Sequence, residues 1–159
     1  ADGGKCGAGI GGGSAGDGSD ITISGGEVKA IGGVIGAGIG GGQWGKGKDI
    51  TVSGAAKLKV QGGVEDDYDG VGAGIGDGGS NADGSQIPGT EVEPDTSGLT
   101  TGRIEYYAPG ADMENDTPTS TTTGKPTEPT EPEQPEAKRG AAPPLPRDRQ
   151  GRQGHCLHG

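Results

Sequence analysis

Apolar pairs separated by glycine and polar turns run through the first half of the chain. Apolar residues stand two positions apart at seven places: Ala8/Ile10, Ile21/Ile23, Val28/Ala30, Ala37/Ile39, Ile50/Val52, Leu58/Val60 and Ala73/Ile75. A period of two is that of a β-strand with one buried face. No window has the i, i+3, i+4 spacing of an amphipathic helix. The pattern therefore predicts an all-β fold of short strands.

The strands recur within a longer repeat. The segment Gly-Ala-Gly-Ile-Gly begins at Gly7, at Gly36 and at Gly72. Asp-Ile-Thr-Ile-Ser-Gly at 20–25 returns 29 residues later as Asp-Ile-Thr-Val-Ser-Gly. Self-similarity at a period of this size is typical of a solenoid. We therefore expect a short parallel β-helix with about three strands in each 29-residue coil. The first repeat is 7–35, the second is 36–71 and the third begins at 72.

Composition agrees with a narrow core. The chain has 39 glycines among 159 residues, no Phe, and only 26% hydrophobic residues. A conventional core of large side chains cannot be built from this composition, whereas Ile, Val and Ala are enough to fill a thin stack of strands. Solenoids usually need three or more repeats. We therefore expect marginal stability, and preceding repeats stacked on the exposed first one.

Stacking at this period predicts which charges become neighbours. Asp17 aligns with Lys46 and Glu27 with Lys57, so both pairs are opposite in sign. Lys29 over Lys59 is a like-charge pair. The longer second repeat contains an acidic insertion at 65–70, which we expect to form an outward loop.

Three regions are predicted along the chain: glycine-rich repeats at 1–83, a transition at 84–111, and a disordered stalk and basic tail at 112–159. The segment 103–107 in the transition is a candidate last strand or cap. Beyond it, the Pro/Thr/Glu run that includes 126–133 is typical of an extended, solvated linker. The basic end after 137 has two interpretations, a disordered tail or a frameshifted end of the gene.

Charge, hydropathy and cysteine content limit the classes of partner that the sequence favours. The formal net charge is −10, and an acidic chain without a basic patch argues against nucleic acid. No apolar run is long enough to span a membrane. Cys6 and Cys156 lie near opposite ends, without metal-ligand spacing, and whether they pair is left open.

The Gly-Ala-Gly-Ile-Gly-Gly-Gly and Ile-Thr-Ile-Ser-Gly-Gly blocks resemble glycine-rich repeats of Gram-positive bacterial cell-surface proteins. They are also similar to rungs of carbohydrate-binding β-helix domains. The resemblance covers residues 7–79, and the stalk by composition only. It implies an extracellular, adhesin-like protein at the cell wall or cell surface. The wall-sorting motif common in such proteins is not present in this sequence, and the resemblance assigns no functional residues.

Acidic residues cluster around the third repeat and form a candidate calcium site: Asp66, Asp67, Asp69, Asp77, Asn81 and Asp83. Calcium prefers oxygen ligands on turns, but the spacing lacks the EF-hand pattern. The alternative is a solvated acidic loop. Asp20 over Asp49 is a further pair that could share a cation between strands.

Trp44 is the only Trp, and Tyr68 is its candidate partner in stacking on a sugar ring. Ala15 occupies the position of Trp44 in the preceding repeat, so the fold does not require an aromatic residue there. The alternative is that Trp44 only covers nearby glycine backbone.

The sequence does not favour catalysis. Both His residues lie in the basic tail, and the glycine-rich runs lack the following helix of a dinucleotide-binding motif. The hypothesis is a structural or adhesive repeat segment whose partners are neighbouring repeats. A carbohydrate-binding β-helix module that binds polysaccharide or host glycans, assisted by calcium, is the alternative. Ice binding through Thr22 over Thr51 is disfavoured, because two threonines do not make an array.

Overall fold

The computed structural model describes residues 1–64, 71–82 and 85–125, and these residues contain strands and no helix. The prediction of an all-β fold is confirmed. The strands are β1 (Ile10–Gly11), β2 (Gly18–Ile23), β3 (Glu27–Ile31), β4 (Ile39–Gly40), β5 (Gly47–Val52), β6 (Lys57–Gln61), β7 (Ile75–Gly76), β8 (Ser80–Ala82), β9 (Ser85–Ile87), β10 (Arg103–Tyr107) and β11 (Ser120–Thr123).

Corresponding strands of successive repeats pair in parallel. One sheet has the order β1-β4-β7, a second pairs β2 with β5, and a third contains β3, β6 and β10 as successive neighbours. In the first sheet Ile10 lies beside Ile39, and Ile39 beside Ile75. The register Glu27–Lys57 confirms the predicted neighbours on the third sheet. Equivalent strands of the first and second repeats therefore lie side by side.

An aspartate interrupts β2 and β5 at the same place. Asp20 and Asp49 have φ angles of 56° and 52°, in the left-handed region. The register pairs Ser19 with Lys48 and then Ile21 with Ile50, and passes over the two aspartates. Asp tolerates this conformation better than most residues because its short polar side chain can form local hydrogen bonds. The repeated Asp therefore has a backbone role in turning the strand.

The third repeat does not reproduce the first two. After β7, the strands β8 and β9 form an antiparallel pair. Two isolated parallel bridges, Thr51–Asp95 and Gly54–Leu99, stand where a further strand beside β5 would lie. Parallel and antiparallel pairing therefore both occur in the fold.

The candidate strand at 103–107 forms as β10, parallel to β6. The fold then continues past the predicted start of the stalk at 112, because β11 pairs antiparallel with β10. Here the structure differs from the expectation that 112–159 is disordered throughout. The Pro/Thr/Glu run from 126 onward and the basic tail with Cys156 lie outside the described residues, as does the insertion at 65–70.

One core joins the repeats to the transition region. Leu99 and Ile104 belong to the same buried cluster as Ile39 and Ile75, so residues before and after 84 share apolar packing. Burial is graded along the stack. Ile39 in the second repeat is 0% exposed, whereas its counterpart Ile10 in the first repeat is only partly buried. The core is therefore closed toward β10 and less covered at β1.

Candidate functional site

Two carboxylates lie at the last repeat, where the parallel pairing ends. In the second repeat, the amides of Gly38 and Ile39 donate to the carbonyls of Ala73 and Gly74 in the third repeat. The equivalent amides of Gly74 and Ile75 donate instead to Glu91, at 2.6 Å to Oε1 and 3.1 Å to Oε2. The Glu91 carboxylate thus replaces the carbonyls that a following repeat would supply.

Asp77 acts in the same way on the neighbouring face. The Gly18 amide donates to the Lys46 carbonyl, and the equivalent amide of Gly47 donates to Asp77 Oδ1 at 2.9 Å. Asp77 Oδ2 lies 2.9 Å from Lys46 Nζ. This ion pair and hydrogen bond with Asp77 raise the pKa of Lys46 above its usual value. Both oxygens of Asp77 are therefore occupied, and the residue is 8% exposed.

The acidic candidates for calcium are only partly placed by the structure. Asp66, Asp67, Asp69 and Asp83 lie outside the described residues, and Asn81 is placed in β8 by its backbone. Asp77, the described carboxylate of the set, is bound to Lys46 and Gly47. Within 1–64, 71–82 and 85–125, no group of three or more His, Cys, Asp or Glu residues could hold a metal ion.

A second acidic surface includes Asp20 and Asp49, the left-handed positions of β2 and β5. Asp20, Asp49, Glu93 and Asp95 line a groove of about 470 Å³ together with Thr22 and Thr51. Asp95 Oδ1 accepts a hydrogen bond from the Ser97 amide at 2.9 Å, and this bond lowers the pKa of Asp95. Thr22 lies beside Thr51 in the register, but Asp95 follows next to Thr51. The threonine column therefore ends after two residues.

Trp44 lies beside a small surface cavity. Its side chain is 52% exposed, and its φ of 61° matches the 56° of Ala15 at the same position of the first repeat. The cavity measures about 180 Å³, and Lys46, Ile87 and Pro88 are among the residues that line it with Trp44. The sequence gives Trp44 no apolar neighbour nearby in the chain, whereas the antiparallel pair β8–β9 brings Ile87 to it. Tyr68, the predicted aromatic partner, lies outside the described residues.

Charged side chains cover the outer face of β3, β6 and β10. Lys57 Nζ lies 3.0 Å from Glu27 Oε1, and this bond lowers the pKa of Glu27. The predicted like-charge pair, Lys29 and Lys59, is bridged by Glu114, at 3.6 Å and 3.3 Å. These residues line a concave region of about 350 Å³. Each cation here has an acidic partner, so the face does not concentrate charge of one sign.

The other predicted neighbours, Asp17 and Lys46, meet through a backbone hydrogen bond rather than an ion pair. Asp17 Oδ1 accepts from the Lys46 backbone amide at 2.8 Å, and Asp17 Oδ2 lies 3.8 Å from Lys48 Nζ. The ammonium group of Lys46 reaches Asp77 instead.

Tyr106 lies at the boundary between the last sheet and the returning chain. It lines a groove of about 410 Å³ with Glu91, Glu93 and Thr119 among others. Burial, and secondarily the charges of Glu91 and Glu93, raise the pKa of Tyr106 to about 12. The raised pKa keeps the phenol protonated further into the alkaline range than an exposed tyrosine.

Comparison of the chain with family models, with curated proteins and with solved structures gave no match. Among residues 1–64, 71–82 and 85–125, no helix is both long and apolar enough to cross a membrane.

Proposed function

We propose that the chain is a structural repeat segment of a surface-display protein, in which the repeats stack as a short parallel β-solenoid. One observation carries the proposal. The three strands of the first repeat, β1, β2 and β3, each pair in parallel with the equivalent strand of the second repeat, at offsets of 29 or 30 residues. A chain that returns to one lateral position with every repeat builds an elongated scaffold.

The described side chains fit a scaffold role. The acidic groups with the most organised geometry, Asp77 and Glu91, bind backbone amides of the stack. Their oxygens are consequently used for structure rather than for binding a substrate. The proposed location is extracellular, at a cell wall or cell surface, and the Pro/Thr/Glu run after 125 is proposed as the stalk that separates the scaffold from that surface.

The test of this proposal has two parts. An antibody raised against residues 1–125 is used to detect the protein in fractionated cells of the source organism, and we expect it in the wall or secreted fraction. The purified chain should unfold cooperatively. Its melting temperature should not change when calcium is added, since a rise would show that the folded state binds calcium. Detection only in the cytosol would contradict surface display.

A second candidate function rests on Trp44. An exposed indole at the rim of a cavity lined by Lys46 and Thr90 offers a stacking platform beside polar groups, the arrangement that suits a sugar ring. We propose polysaccharide binding at this site as the alternative. In a glycan panel, binding that is lost in Trp44→Ala and retained in Lys57→Gln, which alters the separate charged face, would favour this alternative over a purely structural role.

A further inference from the structure

The edge formed by β1 and β2 differs from the last repeat in how its backbone groups are paired. Among the described residues, β1 pairs with β4 alone and β2 with β5 alone. At the opposite end, antiparallel chain and the carboxylates of Asp77 and Glu91 satisfy the last repeat. The two ends of the stack therefore differ, and the edge of β1 and β2 is here named the open edge.

The open edge leaves backbone donors without backbone acceptors. The amides of Gln43 and Ser53 in the second repeat donate to carbonyls of Cys6 and Ile23 in the first part of the chain. The equivalent amides, those of Ser14 and Ser24, donate to no backbone carbonyl of the described residues. Such a row of unpaired groups is a template for another strand.

The apolar core is also uncovered at this edge. Ile10, Ile21 and Val28 are partly buried, whereas the residues beside them in the second repeat, Ile39, Ile50 and Leu58, are 0–3% exposed. The apolar side chains of the first repeat are therefore less covered than their counterparts in the second. Covering them removes apolar surface from water, which is favourable.

Glycine is retained at the open edge where this chain does not require it. A Cβ at Gly33 or Gly42 would collide with the carbonyl oxygen of the glycine stacked beside it, Gly4 or Gly13. A Cβ at Gly4 or Gly13 would meet nothing within 4 Å. These two glycines are therefore suited to a neighbour that approaches as closely as the first repeat approaches the second.

The first residues of the chain show how such a neighbour would lie. Asp2 forms a parallel bridge with Ile31, and the Gly3 amide donates to the Ile31 carbonyl at 2.8 Å. The offset between Asp2 and Ile31 is the one that joins Ile10 to Ile39. Backbone in this register, followed away from Ile31, would pass over β2 and β1.

From these observations we infer that the open edge binds a further glycine-rich repeat of the same type, parallel and in the register of Asp2 with Ile31. The occupant continues an interface that the structure already contains between the first and second repeats. The inference rests on the proposed solenoid and adds its direction of extension. Further repeats add at the open edge, because the other end is already covered by Asp77, by residues 90–99 and by β10.

The experiment compares the full chain with a lengthened chain, in which a second copy of residues 7–35 is inserted before Gly7. Gly13→Ala is made in both backgrounds at the original glycine, with Gly42→Ala as the matched internal substitution. In the original chain, Gly42→Ala should lower the melting temperature by about 5–10 °C and Gly13→Ala by less than about 1 °C. In the lengthened chain, Gly13→Ala should become as destabilising as Gly42→Ala.

Hydrogen exchange supplies a second readout that needs no substitution. The amides of Ser14 and Ser24 should exchange at least about 100-fold more slowly in the lengthened chain than in the original one. If Gly42→Ala destabilises but Gly13→Ala stays neutral and both amides stay unprotected in the lengthened chain, the inference is overturned while the solenoid stands. If Gly42→Ala is itself neutral, the proposed solenoid fails. Protection of these amides in the original chain by concentration-dependent dimerisation would assign the edge to a second copy and overturn the inference.

Discussion

At the scale of single residues, carboxylates perform the task that carbonyls perform elsewhere in the stack. Glu91 accepts from two consecutive amides, Gly74 and Ile75, and Asp77 accepts from Gly47. A buried amide left without an acceptor costs free energy comparable to a lost hydrogen bond. A side chain that returns over the last strand removes this cost without another repeat.

Removing the Glu91 carboxylate should therefore destabilise the fold. We expect Glu91→Ala to lower the free energy of unfolding by about 1–3 kcal/mol, since two amides lose a charged acceptor. The measurement is urea denaturation followed by circular dichroism. Glu93→Ala is the control: Glu93 is also exposed and lies two residues away, and a loss equal to that of Glu91→Ala would contradict the assignment.

Tyr106 should make the stability of the folded state depend on pH in the alkaline range. Its pKa is raised from 10.0 to about 12, so between these values the unfolded state loses the phenolic proton while the folded state keeps it. Stability should therefore be fully present below pH 10 and fall as pH rises toward 12. In Tyr106→Phe, the melting temperature should fall less steeply over this range, and an unchanged slope would show that Tyr106 is not responsible. Asp77 raises the pKa of Lys46 in both proteins, which leaves a common background.

At the scale of strands, equal sequences have unequal surroundings. The strands β1 and β4 lie in two copies of one seven-residue sequence, at 7–13 and 36–42. Ile10 in the first copy lies directly beside Ile39 in the second. Ile39 has strand neighbours on both sides, in β1 and β7, whereas among the described residues Ile10 is paired with Ile39 alone. The position in the stack, rather than the local sequence, decides how much each strand contributes.

Truncating these two isoleucines should separate the effects of sequence and position. We expect Ile39→Ala to cost about 3 kcal/mol of unfolding free energy, within the range for fully buried Ile. Ile10→Ala should cost about 1 kcal/mol, because the side chain is already partly in water. Chemical denaturation of both variants checks the difference, and equal losses would show that the first repeat is as closed as the second.

The sequence predicts these strands well because the repeat aligns them. The parallel neighbours of β2 with β5 and of β3 with β6 follow from the internal alignment alone, and the structure confirms them. The alignment carries no information once the repeat ends. The return of 90–92 against β7, the role of Glu91, and the pairing of Ser120–Thr123 depend on tertiary contacts of unrepeated segments. The neighbourhood of Trp44 was missed for the same reason, because Ile87 reaches it through β9.

At the scale of the whole molecule, the protein is acidic but locally balanced. The formal net charge is −10, yet the outer face of the third sheet pairs each described cation with a carboxylate, as in Glu27–Lys57 and Arg103–Glu105. Exposed pairs of this kind each contribute little. Their combined effect appears when the carboxylates are protonated together.

We expect the folded state to be lost at acid pH rather than near neutrality. The pKa values of Glu27, Asp95 and Asp112 are lowered by hydrogen bonds, chiefly from Lys57, Ser97 and Asn115 respectively. In the unfolded chain these groups have pKa values of 4.5 for Glu and 3.8 for Asp. Their contribution to stability is therefore present above these pH values and is lost as pH falls through the lower pKa values of the folded state. Melting temperature measured from pH 7 to pH 2 should be nearly constant down to about pH 5. A decline that begins above pH 6 would point to a different group.

The constant offset between β1 and β4 and between β2 and β5 has a consequence for how such a protein changes over generations. Duplicating one complete repeat creates contacts of a kind that the molecule already makes, so its length can vary by whole repeats without a new core. Any other insertion must leave the stack between strands. The longer spacing of Ile39 and Ile75, compared with Ile10 and Ile39, is accommodated while both pairs keep the same parallel register. Selection can thus change the number of repeats and the sequences of their turns independently.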